Sequence, residues 1–197
     1  MATNSRTSKS KSQQSNKTKG ARKGAFCFIQ STCIVMLSMK KIIVLGLTAS
    51  GKTTLANRLG KVLDIPVYHL DKTFWREKGG IKQDVFLSEQ EEMMKSDKWI
   101  LAGTFPKSKS LEVRIRNADT IILFDLPFLV VFLHQVKRFL RNTNEHARPL
   151  TWKELKYALT YPIEDIYSNI MPYKEIKRII VIKNYKDQRS FWKNISA

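Results

Sequence analysis

Cysteine is nearly absent from this 197-residue chain: there are two, Cys27 and Cys33, and both precede residue 39. They offer neither a metal-ligand spacing nor a disulfide framework. A cysteine-free remainder suits a reducing compartment. Histidine is equally scarce, and His69, His134 and His146 share no metal spacing. His134, inside an apolar helical stretch, reads as a packed histidine rather than a ligand. No apolar run approaches the roughly 18 residues that mark a membrane-crossing helix. Acidic residues are missing from the whole N-terminal stretch, the first being Asp64. No internal repeat is visible.

What is present is positive charge. The formal net charge is +18, with 43% hydrophobic residues, so the chain is globular on average and strongly basic. Such an excess favours polyanions: nucleotide phosphates, nucleic acid or an anionic membrane surface. The length suits one compact α/β domain and a tail. Residues 1–24 carry Ser, Lys, Thr, Asn and Gln with almost no apolar side chains, a composition expected to stay disordered. Ala25 to Leu37 is a short apolar segment. We therefore divide the chain into residues 1–38, a basic tail plus apolar segment, and residues 39–197, the domain. A cytoplasmic location is expected, with an organelle presequence in residues 1–38 as the alternative.

One stretch organises the domain. Ile42-Ile43-Val44-Leu45 is a β-branched and aliphatic run suited to a buried parallel strand. Gly46-Leu47-Thr48-Ala49-Ser50-Gly51-Lys52-Thr53 then satisfies G-x-x-x-x-G-K-[ST] at every fixed position. Leu55, Leu59, Val62 and Leu63 supply the apolar stripe of a following helix. Strand, loop and helix in this order make a phosphate-binding loop. Glycines let backbone amides turn inward around a polyphosphate, and the helix adds its positive end. Residues Gly46 to Thr54 are thus expected to hold ATP or another nucleoside triphosphate. Lys52 is expected to reach the β- and γ-phosphates, and the Thr53 hydroxyl to ligate Mg²⁺.

Further strands are expected at residues 65–70, 98–102, 120–124 and 179–182. Helices are expected between them over residues around Phe86 to Met94, 108–117, Leu129 to Leu140, Trp152 to Leu159, and around Phe191 to Ile195. Alternating strands and helices argue for right-handed βαβ units and a parallel sheet covered on both faces. Ligands then bind beyond the carboxyl ends of the strands. That rule singles out Asp71, the turn from Gly103 to Lys107, and Asp125. Asp71 is a base toward an acceptor hydroxyl, a Mg²⁺ partner through water, or a helix N-cap. Asp125 is a Walker B aspartate or a turn residue before Leu126-Pro127. Arg138, Arg141 and Arg148 flank or lie in a loop that is free to close over phosphates, or form a solvated basic face.

MKKIIVLGLTASGKTTLANRL, IPVYHLDKTFW, KWILAGTF and LEVRIRNADTIILFDLP resemble the adenylate-kinase-like P-loop proteins known as DNA topology modulation proteins. The likeness is good over residues 39–141 and weaker beyond. It implies a nucleoside- or nucleotide-kinase-like three-layer fold with a five-stranded parallel sheet and a small helical lid. By the resemblance, Asp71 is the family aspartate, and Phe74 and Trp75 the aromatic pair on the acceptor side. Arg114 corresponds to a substrate-side arginine in the helix before the fourth strand, and Arg138 to one on the lid-flanking helix. Three positions depart from the pattern: Ala102 stands where an aspartate usually precedes Gly103, Phe128 follows the Pro of the fourth-strand turn in place of Arg, and His134 replaces a basic arginine. Two functions follow as expectations. One is ATP- and Mg²⁺-dependent phosphoryl transfer to a small nucleoside- or nucleotide-like acceptor. The other is a nucleotide-gated nucleic-acid-binding regulator with degraded catalysis.

Overall fold

The computed structural model describes residues 39–106, 108–141 and 152–196. Residues 1–38 and Arg148 lie outside the described part. A five-stranded parallel sheet in the order β2-β3-β1-β4-β5 forms its centre. The strands are β1 (Lys41–Gly46), β2 (Val67–His69), β3 (Trp99–Ala102), β4 (Thr120–Phe124) and β5 (Arg178–Ile182). The helices are α1 (Lys52–Leu63), α2 (Leu70–Phe74), α3 (Gln83–Met94), α4 (Lys109–Asn117) and α5 (Phe128–Arg141). Then come α6 (Trp152–Leu159), α7 (Ile163–Ile170), a 3₁₀ turn (Met171–Tyr173) and α8 (Tyr185–Ser196).

The central position of β1 explains its composition. β3 flanks it on one side and β4 on the other, so Ile42, Ile43, Val44 and Leu45 are all 0% exposed. Alternation then sorts them to two faces. Ile42 and Val44 pack with Leu55 and Leu59 of α1 and Phe191 and Ile195 of α8. Ile43 and Leu45 pack with Phe86 of α3, Leu111 and Ile115 of α4, and Ile166 and Ile170 of α7. The result is helix, sheet, helix, as the alternation of elements implied. At the amino ends of the strands the Asp119 carboxylate accepts the N–H groups of Lys40 and Lys41 at 2.9 and 2.7 Å, tying the entry of β1 to β4.

Two expectations change. The second strand does not run to residue 70: β2 stops at His69, and Leu70 opens the short helix α2. The physical reason is its ladder. His69 pairs with Ala102, the last residue of β3, so no partner remains, and the fully buried Leu70 turns into the core instead. Asp71 therefore sits in the first turn of a helix rather than on a strand end. The second change is α7, an element not expected from the sequence. Ile166 and Ile170 bury one face of it, and Glu164 and Asp165 stand in its first turn, where the helix dipole favours acidic groups.

No helix among the described residues is long and apolar enough to cross a membrane.

Candidate active site

The loop from Gly46 to Gly51 joins the carboxyl end of β1 to α1, beneath the end of the sheet where β3 and β4 also stop. Gly46 has φ +141°, and a Cβ there would stand 2.7 Å from Phe124 Cβ and 2.9 Å from Phe124 O. Only glycine fits against β4. The Thr104 hydroxyl pins this residue from the other side, accepting the Gly46 N–H at 3.0 Å and donating to the Gly46 carbonyl at 2.6 Å. Gly51 is the α1 N-cap at φ +100° and offers no side chain to cap it. The first intrahelical bond runs from Leu55 N–H to Gly51 O at 3.0 Å, so the amides of Lys52, Thr53 and Thr54 remain for an anion. Ala49, at φ +64°, is a left-handed alanine, which costs about 1–2 kcal/mol.

Lys52 is buried, and its ammonium donates to the Leu47 carbonyl at 2.9 Å. Burial lowers its pKa, and the negative charge of Asp71 opposes that shift. The cation thus lies inside the loop, held on a neutral acceptor. Asp71 approaches from α2. It stands against the turn after β3, where a Cβ on Gly103 would meet Leu70 Cβ at 2.9 Å and Asp71 Oδ1 at 3.5 Å. Asp71 is exposed. Its charge acts on Lys52, Arg114, Tyr157 and Tyr161. α6 packs on the loop and α5 through Ala158, which joins Leu47 and Val131, with Tyr161 against them. Burial pushes both the Tyr157 and Tyr161 phenols up, and Asp71 adds to each shift.

Arg114 occupies a different place from that expected of a substrate contact. It is 0% exposed and lies behind the turn after β3. Its Nε donates to Ser110 O at 3.1 Å, Nη2 to Thr104 O at 2.6 Å, and Nη1 to Gly103 O. Burial pulls its pKa down to about 9, with Asp71 and Tyr161 opposing, which leaves it charged at neutral pH. The aromatic pair divides. Phe74 packs against Phe86 and Phe105 with ring centroids 5.2 and 5.1 Å away, whereas Trp75 meets Phe74 edge-on at 4.9 Å and is 46% exposed. Arg138 and Arg141 fall in the last turn of α5.

Asp125 follows β4, which does lie beside β1, with Phe124 in register with Gly46. Its carboxylate accepts the Tyr167 hydroxyl at 2.8 Å and has Lys183 Nζ at 3.8 Å, so it fastens α7 and the end of β5. Ala102 pairs with Val44 and His69 and is buried, so no carboxylate stands at that strand end. The donor set that remains for Mg²⁺ is the exposed Thr53 hydroxyl and Asp71. One hydroxyl and one carboxylate suit an ion that takes its other ligands from phosphate and water. Among the described residues no group of three or more His, Cys, Asp or Glu could cage a metal.

A cavity of about 680 Å³ opens beside the loop. Gly51 and Thr54 line it, with Leu126 from the turn after β4, His134 from α5, and Tyr185 and Gln188 from α8. Three residues here escaped the sequence reading. Thr104 was visible only as part of a turn, His134 sits in an apolar helical stretch that suggested core packing, and Tyr185 lies in the polar segment KNYKD. None stands near its partners in the chain, so only the fold reveals the contacts.

No protein-family model matches the chain, and no curated protein matches its sequence. Its fold is shared with solved structures. Shikimate kinase from Bacteroides thetaiotaomicron superposes with a TM-score of 0.52 at 15% identity, covering 81% of this chain and 96% of that one. Shikimate kinase from Acinetobacter baumannii in complex with shikimate gives 0.50 at 15% identity, covering 83% and 97%. At this identity the likeness is one of fold: the chain has the P-loop kinase-like architecture.

Proposed function

We propose that the protein transfers the γ-phosphoryl group of ATP to a hydroxyl of a small acceptor. The observation that carries this reading is the buried Lys52 ammonium inside the loop, with the exposed Asp71 carboxylate acting on it from α2. In this reading the amides of residues 47–54 and Lys52 hold the triphosphate, and the cavity between α5 and α8 takes the nucleoside. Thr53 and Asp71 would hold Mg²⁺, whose charge would offset that of the phosphate oxygens. Asp71 orients the acceptor hydroxyl and takes its proton as the oxygen bonds to the γ-phosphorus and the bond to the β-phosphate breaks. Arg138, Arg141 and Arg148 are proposed to close over the phosphates, and Trp75 with Tyr157 to wall the acceptor side. Arg114 contributes by holding the turn that faces Asp71.

Membership in the topology modulation group, suggested by the YHLD-x-x-FW string, is part of the same proposal. Support comes from the shared kinase-like fold and from the loop geometry. The test is ADP formation over a panel of nucleosides, nucleotides and sugar acids, with Lys52→Ala and Asp71→Asn as controls. Acceptor-stimulated turnover that Lys52→Ala abolishes is the expected result. ATP binding without any stimulated turnover, accompanied by salt-sensitive nucleic-acid binding that ATP modulates, would replace this reading with the regulatory one.

A further inference from the structure

His134 is the point at which three elements meet. From α5 its Nδ1 lies 3.2 Å from the Ala49 carbonyl of the phosphate loop, and its Nε2 is hydrogen-bonded to the Tyr185 hydroxyl of α8. The two rings stand edge-on, with centroids 5.9 Å apart. A carbonyl oxygen only accepts, so Nδ1 must carry the proton of the neutral ring. Nε2 then holds the lone pair and accepts from the Tyr185 hydroxyl. The contact thereby assigns a tautomer and a direction to both hydrogen bonds.

We propose that His134 is a positioning residue for the phosphate loop, holding the strained Ala49 peptide in the orientation that a triphosphate requires. The proposal rests on the reading of the loop as a triphosphate site. In a trans peptide the carbonyl and the following N–H point in opposite directions. Drawing Ala49 O outward to α5 therefore turns the Ser50 N–H into the loop, where it meets Leu47 O at 3.1 Å. That same carbonyl holds Lys52 Nζ. Alanine resists the left-handed backbone found here, φ +64°, and relaxes when nothing holds its carbonyl. Tyr185 in turn keeps the imidazole in the donating tautomer. α5 also ends in the proposed lid arginines, so the contact ties loop geometry to the helix that would carry the lid.

The experiment titrates the full chain and its His134→Ala and His134→Asn variants with ATP and with inorganic tripolyphosphate. Tripolyphosphate has no base, so a residue that merely lines the nucleoside cavity cannot affect it. Loss of the hydrogen bond in His134→Ala should weaken both ligands by about 2- to 13-fold. His134→Asn, whose amide nitrogen stands near the place of Nδ1, should recover most of that loss. The ¹⁵N shifts of the wild-type imidazole should show the Nδ1–H tautomer, a readout that requires no variant to fold. Tripolyphosphate affinity within twofold of wild type in His134→Ala, or an Nε2–H tautomer, overturns the proposal. If wild type binds ATP and Lys52→Ala does not, that failure leaves the triphosphate site standing. Failure of wild type to bind either ligand removes both.

Discussion

Replacing Arg114 with leucine separates a structural arginine from a substrate-binding one. The guanidinium is 0% exposed and donates to Ser110, Thr104 and Gly103 carbonyls. Ser110 O keeps another partner, since Gln90 Nε2 donates to it at 3.3 Å. The Gly103 and Thr104 carbonyls would be orphaned inside the protein. Each such group costs about 1–3 kcal/mol, so Arg114→Leu should lose about 2–6 kcal/mol of stability. A domain of this size holds about 5–15 kcal/mol in all. Thermal and urea unfolding measure the effect, and a drop in melting temperature of at least roughly 5 °C is expected. Arg114→Lys should recover only part, because one ammonium cannot reproduce the planar fork. A melting temperature unchanged in Arg114→Leu, with only the acceptor KM raised, would refute the argument and return the guanidinium to the substrate.

Three further outcomes follow from the loop. Thr104→Val keeps shape but removes both hydrogen bonds to Gly46, so it should cost about 1–3 kcal/mol by urea unfolding and weaken ATP several-fold, with Thr104→Ser restoring both. Gly46→Ala places a Cβ 2.7 Å from Phe124 Cβ and 2.9 Å from its carbonyl on a strand that cannot yield, and ATP titration should show binding lost. Burial lowers the free-state pKa of Lys52, whereas bound phosphates favour its charged form. Binding therefore takes up a proton above the lowered pKa, and ATP affinity should fall with rising pH before the ordinary lysine value of 10.5 is reached. Calorimetric titrations from neutral to pH 10 that show a flat affinity would contradict that sign.

The loop between β1 and α1 was legible because its residues are local. Gly46, Gly51, Lys52 and Thr53 lie within one turn, and the strand and helix around them announce themselves by period. Asp71 was found by its place after a strand, yet its actual position, in the first turn of α2, depends on where β3 ends and leaves His69 the last paired residue. Arg114 shows the limit most clearly. The family resemblance implied a substrate contact for it, but burial and three main-chain acceptors are properties of the turn it packs under.

The sequence by itself therefore determined the fold class and the strand-loop-helix frame of the proposed phosphate site, since both rest on periodicity and on residues close together in the chain. Tertiary structure decided the rest. It brought β4 beside β1 so that Phe124 enforces Gly46, set Thr104 across Gly46 from 58 residues away, and placed His134 on Ala49 from 85 residues away. Contacts between residues so far apart leave no local pattern, because what selects them is the space left when the sheet and helices pack.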